Sequence, residues 1–187
     1  MTDSQTGTYG AISRLNHWIV TLGILGMLAA GFYLEFGGLT REERGPIMAL
    51  HQATGTVLLL IIAWRVIWRI RQGFPAPVPG MPAWQVRAAR ATHWGLLAAM
   101  LIMPLSGVTM SLLGGHSIGL YGLAKIPPVA DIETVHELGH TVHVYTAWVL
   151  AALVAVHVAA AFKHLLLDHD AALARMVSGR AASTGTG

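Results

Sequence analysis

Four apolar runs, at about 16–36, 48–70, 91–113 and 142–167, each reach the ~20 residues that a helix needs to cross the hydrocarbon core of a bilayer. Inside lipid a backbone must satisfy its own hydrogen bonds, so runs of this length fold as helices. The expected fold is therefore an all-α membrane protein, a four-transmembrane-helix bundle making one domain over 1–177. Between the runs lie breakers and charges: Gly37-Gly38 through Pro46, Gly73 through Pro75, Pro77 and Pro79 to Gly80, and Gly114-Gly115 through Pro127-Pro128. The first run is long and has no small-residue cleavage pattern behind it, so it reads as an anchor that stays. Small polar residues predict a disordered tail over 178–187.

Composition agrees with a lipid solvent, since 54% of the 187 residues are hydrophobic and only 11% are charged. Basic residues sort by side. Arg14, Arg65, Arg69, Arg71, Arg87, Arg90, Lys163, Arg175 and Arg180 lie near the N-terminus, the second connection or the C-terminus, against Arg41, Arg44 and Lys125 in the other two connections. The positive-inside tendency then makes both termini cytoplasmic and turns 37–47 and 114–141 to the opposite face, which is periplasmic for a bacterial inner membrane. Membrane lipid is thus the surrounding partner. The basic residues cluster at membrane shoulders with no basic soluble domain, which argues against a nucleic-acid partner. Cysteine is absent, so iron–sulfur clusters, thiolate-ligated haem, covalent haem attachment and disulfides are all excluded.

Ten histidines stand against nine carboxylates, and topology gives each a depth. His143 and His157 share one apolar run, fourteen residues apart, so at ~3.6 residues per turn they return to nearly the same helical face about 21 Å apart along the axis. His51 opens the second helix at the periplasmic shoulder, level with His143. His17 opens the first helix at the cytoplasmic shoulder, level with His157. Each layer draws one imidazole from the fourth helix and one from another helix, as bis-histidine ligation of a b-type haem iron across a bundle requires. Two haem b groups are expected, with His51 and His143 on the outer iron and His17 and His157 on the inner one. His93 lies in the inner layer and competes with His17 as a ligand, or serves a haem propionate or a quinone.

Imidazoles at this depth need partners, because unsatisfied polar groups are costly in lipid. The ring N–H not used for metal needs a backbone carbonyl or a Ser or Thr hydroxyl. Gly23, Gly26, Gly55 and Gly107, with Ala147, Ala151 and Ala155, leave room for a flat macrocycle, although small residues also serve plain helix packing. Arg14 and Arg69 are candidate propionate or quinone contacts, since guanidinium groups bind carboxylates bidentately. His164 lies two turns beyond His157 on the same face, beside Lys163, and both are candidates for hydrogen bonding a quinone.

These residues resemble, over most of 9–170, the bacterial four-helix cytochrome b561 family, related to the cytochrome b subunits of nickel-iron hydrogenases. The resemblance rests on Arg14-Leu15-Asn16-His17-Trp18, on His51-Gln52-Ala53-Thr54-Gly55 with Arg65 and Arg69 downstream, on His93 followed by Pro104-Leu105-Ser106-Gly107, and on His143 with His157 through His164. It implies two b haems on His17, His51, His143 and His157, and electron exchange with ubiquinone. Some members act as superoxide oxidases, with superoxide giving an electron at the periplasmic face and the position matching His164 near the quinone.

The leading expectation is accordingly a diheme cytochrome that carries electrons across the membrane to the quinone pool, as a superoxide:ubiquinone oxidoreductase. The alternative is a non-enzymatic electron-transfer anchor for a soluble dehydrogenase or hydrogenase, docked at 114–141 and fed by a periplasmic redox protein. A histidine-rich metal transporter would need intramembrane carboxylates, and Glu35 sits at a helix end.

Overall fold

A computed structural model describes residues 1–179. The chain forms helices α1 (Asp3–Thr6), α2 (Ala11–Phe36), α3 (Arg41–Gln72) and α4 (Ala83–Leu113), strands β1 (Ile118–Leu120) and β2 (Ala124–Ile126), then α5 (Glu133–Leu166) and α6 (Ala172–Val177). Among the described residues, α2, α3, α4 and α5 are the four helices long and apolar enough to cross a membrane. Four crossings return both termini to one face. Most of the expected tail, from 180 to 187, lies outside the described residues.

Each spanning helix begins before its apolar run, α4 and α5 by eight or nine residues. Hydropathy marks only the part of a helix that sits in lipid, whereas the helix continues into the polar shoulder. The start of α3 shows why. Thr40 and Glu43 form a capping box, with the Glu43 N–H donating to Thr40 Oγ1 at 3.4 Å and the Thr40 N–H donating to Glu43 Oε2 at 2.9 Å. Pro46, expected to lie in a connection, is therefore inside the helix, where its missing N–H orphans only the carbonyl of Glu42 near the wet end.

α4 packs most extensively on α5, while α3 packs on both α2 and α4. The core comprises Val20, Ile24, Met27 and Leu28 from α2, Leu58 and Ile62 from α3, Leu97, Met100 and Met103 from α4, and Leu150 from α5. Leu22, Leu60, Ile67 and Phe162 point outward, as lipid-facing side chains should. Within the expected connection 114–141, β1 and β2 pair antiparallel with Ile118 opposite Ile126. This hairpin leans on α3. Ile118 is buried, and Tyr121 Oη donates to Thr54 Oγ1 at 3.0 Å.

Candidate functional site

Two histidine layers cross the bundle. In the outer layer, His51 of α3 and His143 of α5 have ring centroids 6.2 Å apart. In the inner layer, His17 of α2 and His157 of α5 are also 6.2 Å apart. A metal ion between two imidazoles, with bonds of about 2 Å on opposite sides, separates ring centres by roughly 6 Å, so both pairs have the span of a bis-histidine site. His93 of α4 lies 5.4 Å from His157, closer than that span, and its ring stacks on Phe74 at 5.4 Å and 15°.

The second ring nitrogen distinguishes the layers. His143 Nδ1 lies 2.7 Å from the carbonyl oxygen of Met103 and 3.4 Å from Ser106 Oγ. A carbonyl only accepts, so Nδ1 carries the proton and Nε2 keeps a lone pair free for metal. His17 Nδ1 lies 3.0 Å from Arg65 Nη2, and a guanidinium only donates. His17 Nδ1 is therefore an acceptor, and the proton of the neutral ring sits on Nε2. Arg65 Nη1 also donates to Asn16 Oδ1 at 3.1 Å. Met103, Ser106 and Arg65 thus join the histidines as ring-holding residues, with Asn16 holding Arg65 in turn.

A cavity of about 220 Å³ opens beside the outer layer, lined by His51, His143, Gly31, Gly55, Gly107 and Ile118 among others. The glycines matter here. A Cβ on Gly107 would stand 3.1 Å from two atoms of the His143 ring, and one on Gly31 would stand 3.5 Å from His51 Cε1. Two fully buried side-chain atoms of the layers, His51 Nδ1 and Asn16 Nδ2, have no hydrogen-bond partner among the described residues.

The remaining sequence candidates gather at the cytoplasmic end. Arg69 is buried and meets Asp3: its Nη1 lies 3.0 Å from Asp3 Oδ2 and donates to the Gly73 carbonyl at 2.6 Å, with Tyr9 and Phe74 against the guanidinium. Asp3 also accepts from Ser13 Oγ at 2.6 Å and from the Gly10 N–H at 3.0 Å. Burial pushes the Tyr9 phenol up, against the opposing effect of the Arg69 charge. Arg14 lies against Gly179. Lys163 is 2.5 Å from Asp168, and His164 is 2.7 Å from Asp170. Asp3, Asp168 and Asp170 gave no signal in hydropathy, since carboxylates at membrane shoulders are usually solvated.

Four spanning helices that carry paired imidazoles at two depths, with no cysteine, define a multi-pass membrane cytochrome of the b type. The family model described as prokaryotic cytochrome b561 matches residues 8–179, and the chain belongs to that family. It is 29% identical over 170 residues to cytochrome b561 homolog 2 of Escherichia coli, covering 90% of each chain. It is 28% identical over 167 residues to cytochrome b561 homolog 1 of the same organism, covering 88% of this chain and 93% of the relative. A protein of Yersinia pestis named probable superoxide oxidase CybB is 26% identical over 165 residues, covering 86% of this chain and 90% of the relative. The chain is thus an inner-membrane electron-transfer protein of a family that binds b-type haem.

Proposed function

We propose that the chain holds two b haems, one in each histidine layer, and conducts electrons from the periplasmic face to quinone at the cytoplasmic face. The observation that carries this reading is the equal 6.2 Å span of the two pairs, both built on α5. A bound haem iron supplies one-electron chemistry, so no side chain is needed as nucleophile or acid on the outer side. His51 and His143 hold the outer iron and His17 and His157 the inner one. Met103 orients His143 through Nδ1. Holding an iron through His17 Nε2 would release the proton on that nitrogen to water and leave an imidazolate, whose charge the Arg65 guanidinium at Nδ1 would balance. Asn16 Nδ2 is a buried donor suited to the carboxylates that haem carries.

Superoxide is the proposed outer donor, as the name of the Yersinia pestis relative suggests. Arg44 lines the outer cavity and favours an anion there, although Glu35 lines it too. Two superoxide anions each lose one electron to become dioxygen. One quinone takes both electrons with two cytoplasmic protons and becomes quinol. His164 is the proposed quinone contact, two turns beyond His157 along α5.

Visible spectra of the purified chain before and after dithionite test the haem reading. A low-spin b-type band pair with about two haems per chain is expected. Substituting His51 or His143 should remove one haem, and His157 the other; a folded protein that binds none refutes the reading. Superoxide-dependent quinone reduction by the loaded single chain tests the donor, and its absence would leave the anchor-subunit reading in place.

A further inference from the structure

Beyond His157 the end of α5 carries a side-chain arrangement that holding two haems does not require. After Leu166 the chain reverses, with His169 at φ 49°, a left-handed conformation that costs a non-glycine residue roughly 1 kcal/mol. The turn is pinned to α5 by the Asp168 N–H, which donates to the Lys163 carbonyl at 3.1 Å, and by the Asp170 N–H, which donates to the His164 carbonyl at 3.2 Å. Two carboxylates consequently meet one imidazole. His164 Nδ1 lies 2.7 Å from Asp170 Oδ2 and 3.1 Å from Asp168 Oδ2.

The two carboxylates are held differently. Asp170 is fixed at its other oxygen, where the Ala172 N–H donates to Oδ1 at 2.8 Å and starts α6. Asp168 is paired with the Lys163 ammonium at 2.5 Å, so its charge is met. α6 brings Arg175, whose Nη1 is turned away to the Ala76 carbonyl at 2.7 Å. Three ligand groups this close are within reach of one metal ion, yet the Lys163 ammonium already supplies the positive charge. A carboxylate only accepts, so the Nδ1 of His164 donates to Asp170 and its Nε2 is left as the working nitrogen.

We propose that Asp170 is a positioning residue, which holds His164 by Nδ1 and stabilises its imidazolium so that Nε2–H delivers protons to a quinone oxygen. The inference rests on the quinone reading given above. In the step, the His164 Nε2–H bond breaks, an O–H bond forms on the quinone oxygen, and the neutral ring keeps its Nδ1–H on Asp170. Water from the cytoplasm then reprotonates Nε2, and a second turn of the cycle supplies the second proton as the second electron arrives from the haems. Asp170 stays ionised throughout, as the carboxylate behind a catalytic histidine does.

The test follows reoxidation of the dithionite-reduced, haem-loaded full chain by a short-chain ubiquinone and, separately, by ferricyanide, which takes electrons without protons. Asp170→Asn should slow reoxidation by quinone roughly tenfold to a hundredfold at an unchanged half-saturating quinone concentration. Asp170→Glu should restore most of the rate, and ferricyanide should oxidise every variant at the parent rate. Asp170→Ser keeps a side-chain oxygen to accept from the Ala172 N–H without the charge and should behave as Asp170→Asn, which covers the case in which the amide variant misfolds. A parent rate with quinone in Asp170→Asn and Asp170→Ser, or an equal slowing with ferricyanide, overturns the proposal. His164→Ala separates the two readings. If it reacts with quinone at the parent rate, the quinone site itself is misassigned; if it is slow while the Asp170 variants are not, only the positioning role fails.

Discussion

Gly107→Ala probes the outer layer with a single methyl group. The added carbon would stand 3.1 Å from both Cε1 and Nδ1 of His143. Carbon contacts settle at about 3.5–4.0 Å, so the ring must retreat by roughly 0.5 Å. It has little freedom to do so, because Nδ1 is held at 2.7 Å by the Met103 carbonyl and metal–nitrogen bonds tolerate only about 0.2 Å. Losing the Met103 bond costs about 1 kcal/mol, and overpacking of this kind costs about 1–3 kcal/mol. Together these amount to roughly 2–4 kcal/mol, or an outer haem held from about 30-fold to nearly 1000-fold less tightly, the lower end overlapping the roughly 10- to 100-fold seen when groups behind a metal ligand are disturbed. The assay is competition for haem between the loaded chain and an excess of an apo-globin, read as haem retained per chain. One haem should leave early from Gly107→Ala, while the second leaves at the parent rate because His17 and His157 are built by other residues. Retention of both haems with the parent's competition curve would refute the packing argument, and early loss of the inner haem would refute the layer assignment.

Asp3→Ala removes the partner of a pair whose side chains are only 3% and 6% exposed, and strands Arg69 and Ser13 together. Breaking such a buried pair costs about 3–5 kcal/mol, so thermal unfolding in detergent should fall by roughly 10 °C, and a fall below about 3 °C would count against the network. Arg65→Gln keeps an amide donor near His17 Nδ1 but deletes the charge. A unit charge about 7 Å from an iron is worth roughly 2 kcal/mol at an effective dielectric constant of ~20, so the inner haem midpoint should drop by about 100 mV in a potentiometric titration while the outer one stays. An unchanged inner midpoint would remove Arg65 from the account. The hydrogen bond from Lys163 holds the Asp168 carboxyl below its usual value of 3.8. A depressed carboxylate stabilises the fold above its unfolded pKa and loses that contribution as pH falls through the folded one. Amide exchange protection of the 163–171 turn should therefore persist from neutral pH to about pH 4 and disappear below it; protection lost already near pH 6 would disprove the tie.

Depth was legible in the sequence, because rise per residue converts a histidine's position in a run directly into a level in the membrane. The pairing of His51 with His143 follows from that arithmetic, whereas at the inner level it leaves both His17 and His93 facing His157. Helix starts were less legible. The polar first turns of α3, α4 and α5 look like connections to a hydropathy window, although Thr40-x-x-Glu43 is a helix signature readable without it. Rotation about each helix axis was not legible at all. His17 and His93 share the inner level, and only the packing of Phe74 on His93 and the 6.2 Å span to His157 tell them apart.

The hydrogen-bond partner of each ring depends on rotation too, and here α3 and α5 can be compared term by term. His143 and His157 are fourteen residues apart on α5, and His51 and Arg65 are fourteen apart on α3. Both helices therefore reach the two layers with the same period. α5 places an imidazole in each, whereas α3 places an imidazole in the outer layer and a guanidinium in the inner one, 3.0 Å from His17. Asp3 compensates Arg69 one turn further on, but no carboxylate pairs with Arg65 among the described residues. With a haem in each layer, as proposed, a positive charge at the inner one would lower the energy of an electron there, so α3 would bias the path towards the layer nearer the proposed His164–Asp170 proton donor.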